Sequence, residues 1–153
     1  MLDFRLCPSD EEPAATLVEG MRDEIAAIYG GLDLDGPQMP KAGPDELGPP
    51  GGTFVVGFDG ERAVCCGGLK RLPDGACEIK RMFVVADARG RGVARALLGE
   101  LERRARELGY TVARLDTGPR QAHAQRMYER AGYVSIANFN ANPVATFFGE
   151  KRL

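Results

Sequence analysis

The stretch FVVADARGRGVARALLGELERRARELG, residues 83–109, constrains the chain most. It enters as a β-rich run, passes two glycines set between arginines, and leaves as an amphipathic helical pattern. Val93, Leu97, Leu101, Ala105 and Leu108 recur on one helical face, Arg103, Arg104, Arg106 and Glu107 lie largely off it, and Gly109 is placed to end the helix. A helix begins with unsatisfied N–H groups at the positive end of its dipole, so a strand that turns into a helix through glycine is suited to hold an anion. Arg89, Arg91 and Arg95 crowd the same turn, where each can add charge-assisted bonds to a polyanion.

The remaining elements follow from period and punctuation. LDFRLC alternates like a first strand, and Ser9 or Asp10 is placed to cap a helix whose apolar positions are Leu17, Met21, Ile25 and Ile28. From Gly30 to Gly52 glycine and proline abound and no period persists, which predicts a long surface loop placed to lid the acceptor end of any site. TFVVGF, ERAVCCGGLK and ACEIKRMFVV read as three antiparallel strands joined by turns at Asp59-Gly60 and Pro73-Asp74-Gly75. After the 93–108 helix come a strand TVARLDT, a helix QAHAQRMYERAG ending at Gly132, and strands YVSIAN and ATFFGEKRL.

At 153 residues this is one domain, 1–153, without internal repeat or linker. Twenty Lys and Arg against 22 Asp and Glu give no general attraction for nucleic acid or an anionic membrane, so neither is expected as a partner. No apolar run of about 18 residues occurs. The start MLDFRLCPSDEEP is acidic where a signal peptide is basic and then apolar, which predicts a cytoplasmic protein. Cys7, Cys65, Cys66 and Cys77 form no CxxC pair, and the lone His123 cannot complete a common Cys/His zinc set. Free buried thiols and no metal are expected.

Three phosphate motifs compete for the glycine loop. The nucleotide P-loop needs GxxxxGK followed by Ser or Thr, and no such string occurs. The dinucleotide GxGxxG fails at Arg95, where its third glycine belongs, and this loop follows an antiparallel meander instead of opening a βαβ unit. The third fits: Arg89-Gly90-Arg91-Gly92-Val93-Ala94 resembles the Arg/Gln-x-x-Gly-x-Gly/Ala signature of the GNAT superfamily of N-acetyltransferases. The resemblance continues in EIKRMFV, LDTGPRQAHAQRMYERAGY and the closing FFGEKRL, and covers the second half of the chain closely.

The resemblance implies an α+β, three-layer α/β/α fold with a mixed, mostly antiparallel twisted sheet of about six or seven strands flanked by helices. The two strands after the glycine loop are expected to splay into a groove for cofactor and acceptor. It also implies acetyl-CoA as cosubstrate, its pyrophosphate on the backbone of Arg89, Gly90, Arg91, Gly92, Val93, Ala94 and Arg95, and its pantetheine along the main chain of Met82, Phe83 and Val84. Tyr128 stands where the family carries a tyrosine that reaches the thioester sulfur, and is the expected general acid; Ala124 on the same helix lies along the cofactor. Gln121 stands where many relatives have an asparagine that contacts the cofactor, a contact that otherwise passes to His123.

Glu78 sits where some GNAT enzymes place a strand glutamate facing the acceptor, and is the candidate base, a water chain being the alternative. Even spacing predicts Glu78, Met82 and Val84 on one strand face. Asp116 and Thr117 end the strand before the QAHAQRMYERAG helix, either orienting its start or lining the groove. Arg71 and Lys80 are candidates to select a carboxylate. The tail resembles a subgroup with Phe-Gly-x-Tyr before the last strand, but Phe139-Asn140-Ala141-Asn142 stands there, with Asn142 in place of the tyrosine. The implied activity is acetyl transfer to a primary amine of a small molecule, amino acid or peptide by direct attack in a ternary complex; homodimers are common in the family. A CoA-sensing regulatory protein with little turnover and a transferase of longer acyl groups are the alternatives.

Overall fold

Phe54 and Val56 turn to one side of β2 (Thr53–Asp59) and Val55 to the other, and all three are buried. A strand buried on both faces needs a layer on each. The computed structural model, which describes all 153 residues, supplies both layers. The chain runs β1 (Leu2–Leu6), α1 (Ala14–Ile28), β2, β3 (Arg62–Arg71), β4 (Cys77–Val84), a 3-10 turn (Ala86–Ala88), α2 (Val93–Glu107), β5 (Val112–Thr117), α3 (Ala122–Arg130), β6 (Val134–Ser135) and β7 (Phe147–Arg152). One sheet holds all the strands in the order β1-β2-β3-β4-β5-β7-β6, antiparallel throughout except between β4 and β5. This is the expected α+β architecture.

Ala14, Leu17, Val18 and Met21 of α1 cover one face of the sheet, while Leu97, Leu98, Leu101 and Ala105 of α2, with Tyr128 of α3, cover the other. Burying each such leucine stabilises the fold by about 1.5–3 kcal/mol. Between α2 and the sheet, buried Glu102 accepts bonds from Tyr133 Oη at 2.8 Å and Lys151 Nζ at 2.9 Å, a polar pin that joins α2 to the C-terminal strand. No helix is long and apolar enough to cross a membrane.

Four sequence expectations change. Helix α1 starts after Pro13 without a side-chain cap, because residues 8–13 turn first and the buried stripe begins at Ala14. The strand expected over YVSIAN shrinks to Val134 and Ser135, both exposed at the sheet edge. The two strands after the glycine loop, β5 and β6, do not splay into a groove: β7 lies between them and pairs with both, with β5 from Val112↔Arg152 through Thr117↔Phe147. The strands that part are β4 and β5, which pair only at Cys77↔Ala113 and Glu78↔Arg114.

A bulge in β4 accounts for the last two changes on that strand. Cys66 pairs with Phe83 and Gly68 with Lys80, so β4 carries one extra residue, and Arg81 takes it up at φ +61°. A bulge bends its strand and sharpens the twist, which leads β4 away from β5. It also reverses the alternation: Cys77 and Ile79 face α2, and so do Met82 and Val84, while Phe83 faces α1. Glu78 therefore does not share a face with Met82 and Val84.

Candidate functional site

Gly90 and Gly92 both lie at φ +79°, and Gly92 is the N-cap of α2. A Cβ on either would meet nothing within 4 Å, so the left-handed backbone, not crowding, calls for glycine. No backbone N–H from Gly90 to Arg95 donates to another group of the protein, and no side chain caps the helix. Those donors at a dipole's positive end fit a pyrophosphate. Arg89, although exposed, is tied to the protein: its Nε donates to the Val84 carbonyl at 2.9 Å, its guanidinium meets the Glu24 carboxylate at 2.5 Å, and the Phe83 ring lies 5.6 Å from it. It braces the loop against β4 and α1. Arg91 donates to the Asp87 carbonyl at 3.1 Å.

Past Glu78 the β5-facing edge of β4 has no strand partner, which leaves room for an extended ligand to add to the sheet. Here opens a cavity of about 150 Å³, walled by Arg81, Met82 and Phe83 of β4, Asp116 of β5, Tyr128 of α3, and Met39 and Pro40 of the 30–52 loop. At one end Tyr29 donates to Gln121 Oε1 at 3.1 Å and accepts the Arg120 N–H at 3.2 Å, tying α1 to the start of α3. A Cβ at Gly118 would collide with that Tyr29 hydroxyl, so glycine is required there.

Tyr128 is 8% exposed, its ring edge-on to Tyr133 and its hydroxyl 3.9 Å from Met82 Sδ. Burial pushes its phenol well above the ordinary value and the Asp116 charge adds to the rise, so it stays protonated through neutral pH. Asn140 Nδ2 donates to Glu78 Oε2 and to Asp116 Oδ2, each at 2.7 Å, and Asn142 Nδ2 donates to Asp116 Oδ2 at 3.0 Å. Glu78 is completely buried beneath this bridge, 3.3 Å from Lys80 Nζ. Asp116, by contrast, lines the cavity.

The model of the Acetyltransferase (GNAT) family matches residues 18–133. The chain belongs to the GNAT family. Among its GNAT relatives, an IAA acetyltransferase of Azospirillum brasilense is 34% identical over 94 residues, which span 61% of this chain and 61% of that one. The uncharacterized N-acetyltransferase YsnE of Bacillus subtilis is 30% identical over 114 residues, 71% of this chain and 76% of its own. The PaiA N-acetyltransferase of Thermoplasma acidophilum, solved in complex with coenzyme A, shares the fold at a TM-score of 0.71 and 15% identity, with 100% of this chain and 99% of that one covered.

Within this GNAT chain, Met82, Phe83, Gln121 and Tyr128 line this cavity. Val84, Ala124 and the loop from Arg89 to Arg95 lie outside it, the loop at the N-terminus of α2. Glu78 does not reach the cavity wall. His123 is exposed and faces Arg126 at 3.2 Å, and Arg71 lies over the Tyr110 ring at the far end of β3, whereas Lys80 lines the cavity. Sequence reasoning passed over Arg81, Asn140 and Tyr29. Only Tyr29, at the end of the α1 pattern, had a local signal.

Proposed function

We propose that this GNAT chain is an acetyl-CoA-dependent N-acetyltransferase acting on a primary amine by direct attack in a ternary complex. The observation that carries it is the pairing of an unpartnered N–H cradle at Gly90–Arg95 with a cavity whose wall brings the protonated Tyr128 phenol and the Asp116 carboxylate together. Transfer of acetyl from acetyl-CoA to an amine forms a C–N bond, breaks a C–S bond and moves one proton from nitrogen to sulfur. Tyr128 holds the proton destined for sulfur at its Oη, kept there by burial. Asp116 faces the cavity and takes the proton from nitrogen, while Asn140 and Asn142 fix its orientation. Glu78, coupled to Asp116 through Asn140, is a positioning residue on this reading, and its charge also keeps Lys80 from the amine's place.

The loop N–H groups hold the donor's phosphates, and the open edge of β4 from Met82 to Val84 aligns its extended arm. The direct test measures CoA and acetyl-CoA binding by thermal shift, followed by thiol release against a panel of amines. Both ligands are expected to raise the melting temperature, since ligand bound only to the native state stabilises it by mass action. The proposal fails if neither does, or if both bind and no amine accelerates thiol release.

A further inference from the structure

Arg81 is the least comfortable residue of the cavity. Its side chain is only 7% exposed, its backbone is left-handed, and its Nη2 is buried without a hydrogen bond. Its ion-pair partner is Asp35 Oδ1, at 3.5 Å, from the 30–52 loop. Asp35 is itself held through Oδ2 by Arg22 at 2.9 Å, and it is half exposed. Asp35 offsets the charge of Arg81 and leaves its hydrogen-bonding fork unfilled. Leaving a buried charged donor unsatisfied costs more than leaving a neutral one, so the site favours any ligand that supplies the missing acceptor. The bulge is what turns Arg81 into the cavity wall, and Asp116 stands in the same wall with Oδ1 free of any protein donor.

A cation without its hydrogen bond and a carboxylate with a free oxygen therefore share one small chamber. We propose that the acceptor is a free amino acid, its carboxylate held by the Arg81 guanidinium and its amino group by Asp116. This rests on the transferase reading and narrows its substrate. A guanidinium and a carboxylate match in fork geometry, which gives the contact orientation as well as strength. The chamber, about 150 Å³, is the room of roughly five water molecules and suits a small molecule. A peptide N-terminus has an amide where a free amino acid has its carboxylate and leaves Arg81 unfilled. Lys80, the other cation of the wall, is already engaged by Glu78.

The test uses the full chain with saturating acetyl-CoA and follows thiol release on matched sets of probes: free amino acids, their carboxamides, and the corresponding decarboxylated amines. The expected result is a kcat/KM for each acid at least about tenfold above that for its amide, carried mainly by KM, as one charge-assisted contact provides. Arg81→Met should bring that ratio to about one, with Arg81→Lys retaining part of the preference. Amides accepted as well as acids, or a ratio that Arg81→Met leaves alone, would overturn the assignment.

A second arm is independent of turnover. With CoA present, N-acetyl amino acids should raise the melting temperature of the wild type but not of Arg81→Met, whose own response to CoA shows that it is folded. Acids that stabilise without being acetylated would sink the transferase reading and keep the carboxylate site. Amines acetylated regardless of a carboxylate would keep the transferase and remove the site, and silence in both arms removes both.

Discussion

Tyr128 and Asp116 stand in the wall of one cavity in contrasting surroundings. The phenol is buried and keeps its proton, while the carboxylate accepts from two asparagine amides. Tyr128→Phe should lower kcat by about a hundredfold, the lower range for a general acid, with acetyl-CoA affinity nearly kept. Its melting temperature should stay near that of the wild type, because the hydroxyl's one contact is a thioether at 3.9 Å. Turnover unchanged in the folded variant would remove Tyr128 from the chemistry. Tyr128 was legible because it sits on a strongly periodic helix in a recognisable motif. Arg81 was not, since nothing local in EIKRMFV announces an extra residue and the bulge exists only through the pairing of β4 with β3. Asn140 was illegible for a related reason: its partner Glu78 lies 62 positions away, and a loop amide carries no period.

At the scale of elements, the loop between β4 and α2 was the most legible part of the chain, because the need for left-handed backbone at Gly90 and Gly92 is local. Helix α2 was equally so, as a repeating apolar face needs no knowledge of its partner. The parting of strands was misplaced, since pairing between distant segments is decided by twist and bulges that a one-dimensional pattern does not display. Gly92→Ala forces a side chain into left-handed backbone at about 1–2 kcal/mol. In a cradle whose function depends on that geometry, the loss should appear as a roughly tenfold weaker affinity for CoA by calorimetry. Gly75→Ala, at φ +92° in the turn after β3, is the control: comparable destabilisation in denaturant, with CoA affinity intact. If both variants bind CoA like the wild type, the loop is not the phosphate site.

At the scale of the molecule, two cores on either side of one sheet shield three of the four thiols. Burial pushes Cys65 up to about 11, and Cys66 and Cys77 to about 12, from an ordinary 9.0. At pH 8 the native chain should give at most one fast thiol toward an aromatic disulfide reagent, Cys7, and all four in denaturant. Folded-state values raised above the unfolded one mean that stability is complete below pH 9 and declines as pH climbs toward 11–12, where the unfolded chain has already released protons that the fold retains. Denaturant midpoints at pH 8 and pH 10.5 check the sign; a higher midpoint at pH 10.5 would contradict it. The same sheet is unevenly stitched. β4 and β5 meet at two residue pairs, Cys77↔Ala113 and Glu78↔Arg114, whereas β1 and β2 are matched from Leu2↔Asp59 to Leu6↔Val55. Under tension across the sheet this short seam is the mechanical weak line, and whatever lies in the wedge beyond it serves as a rivet between the two halves.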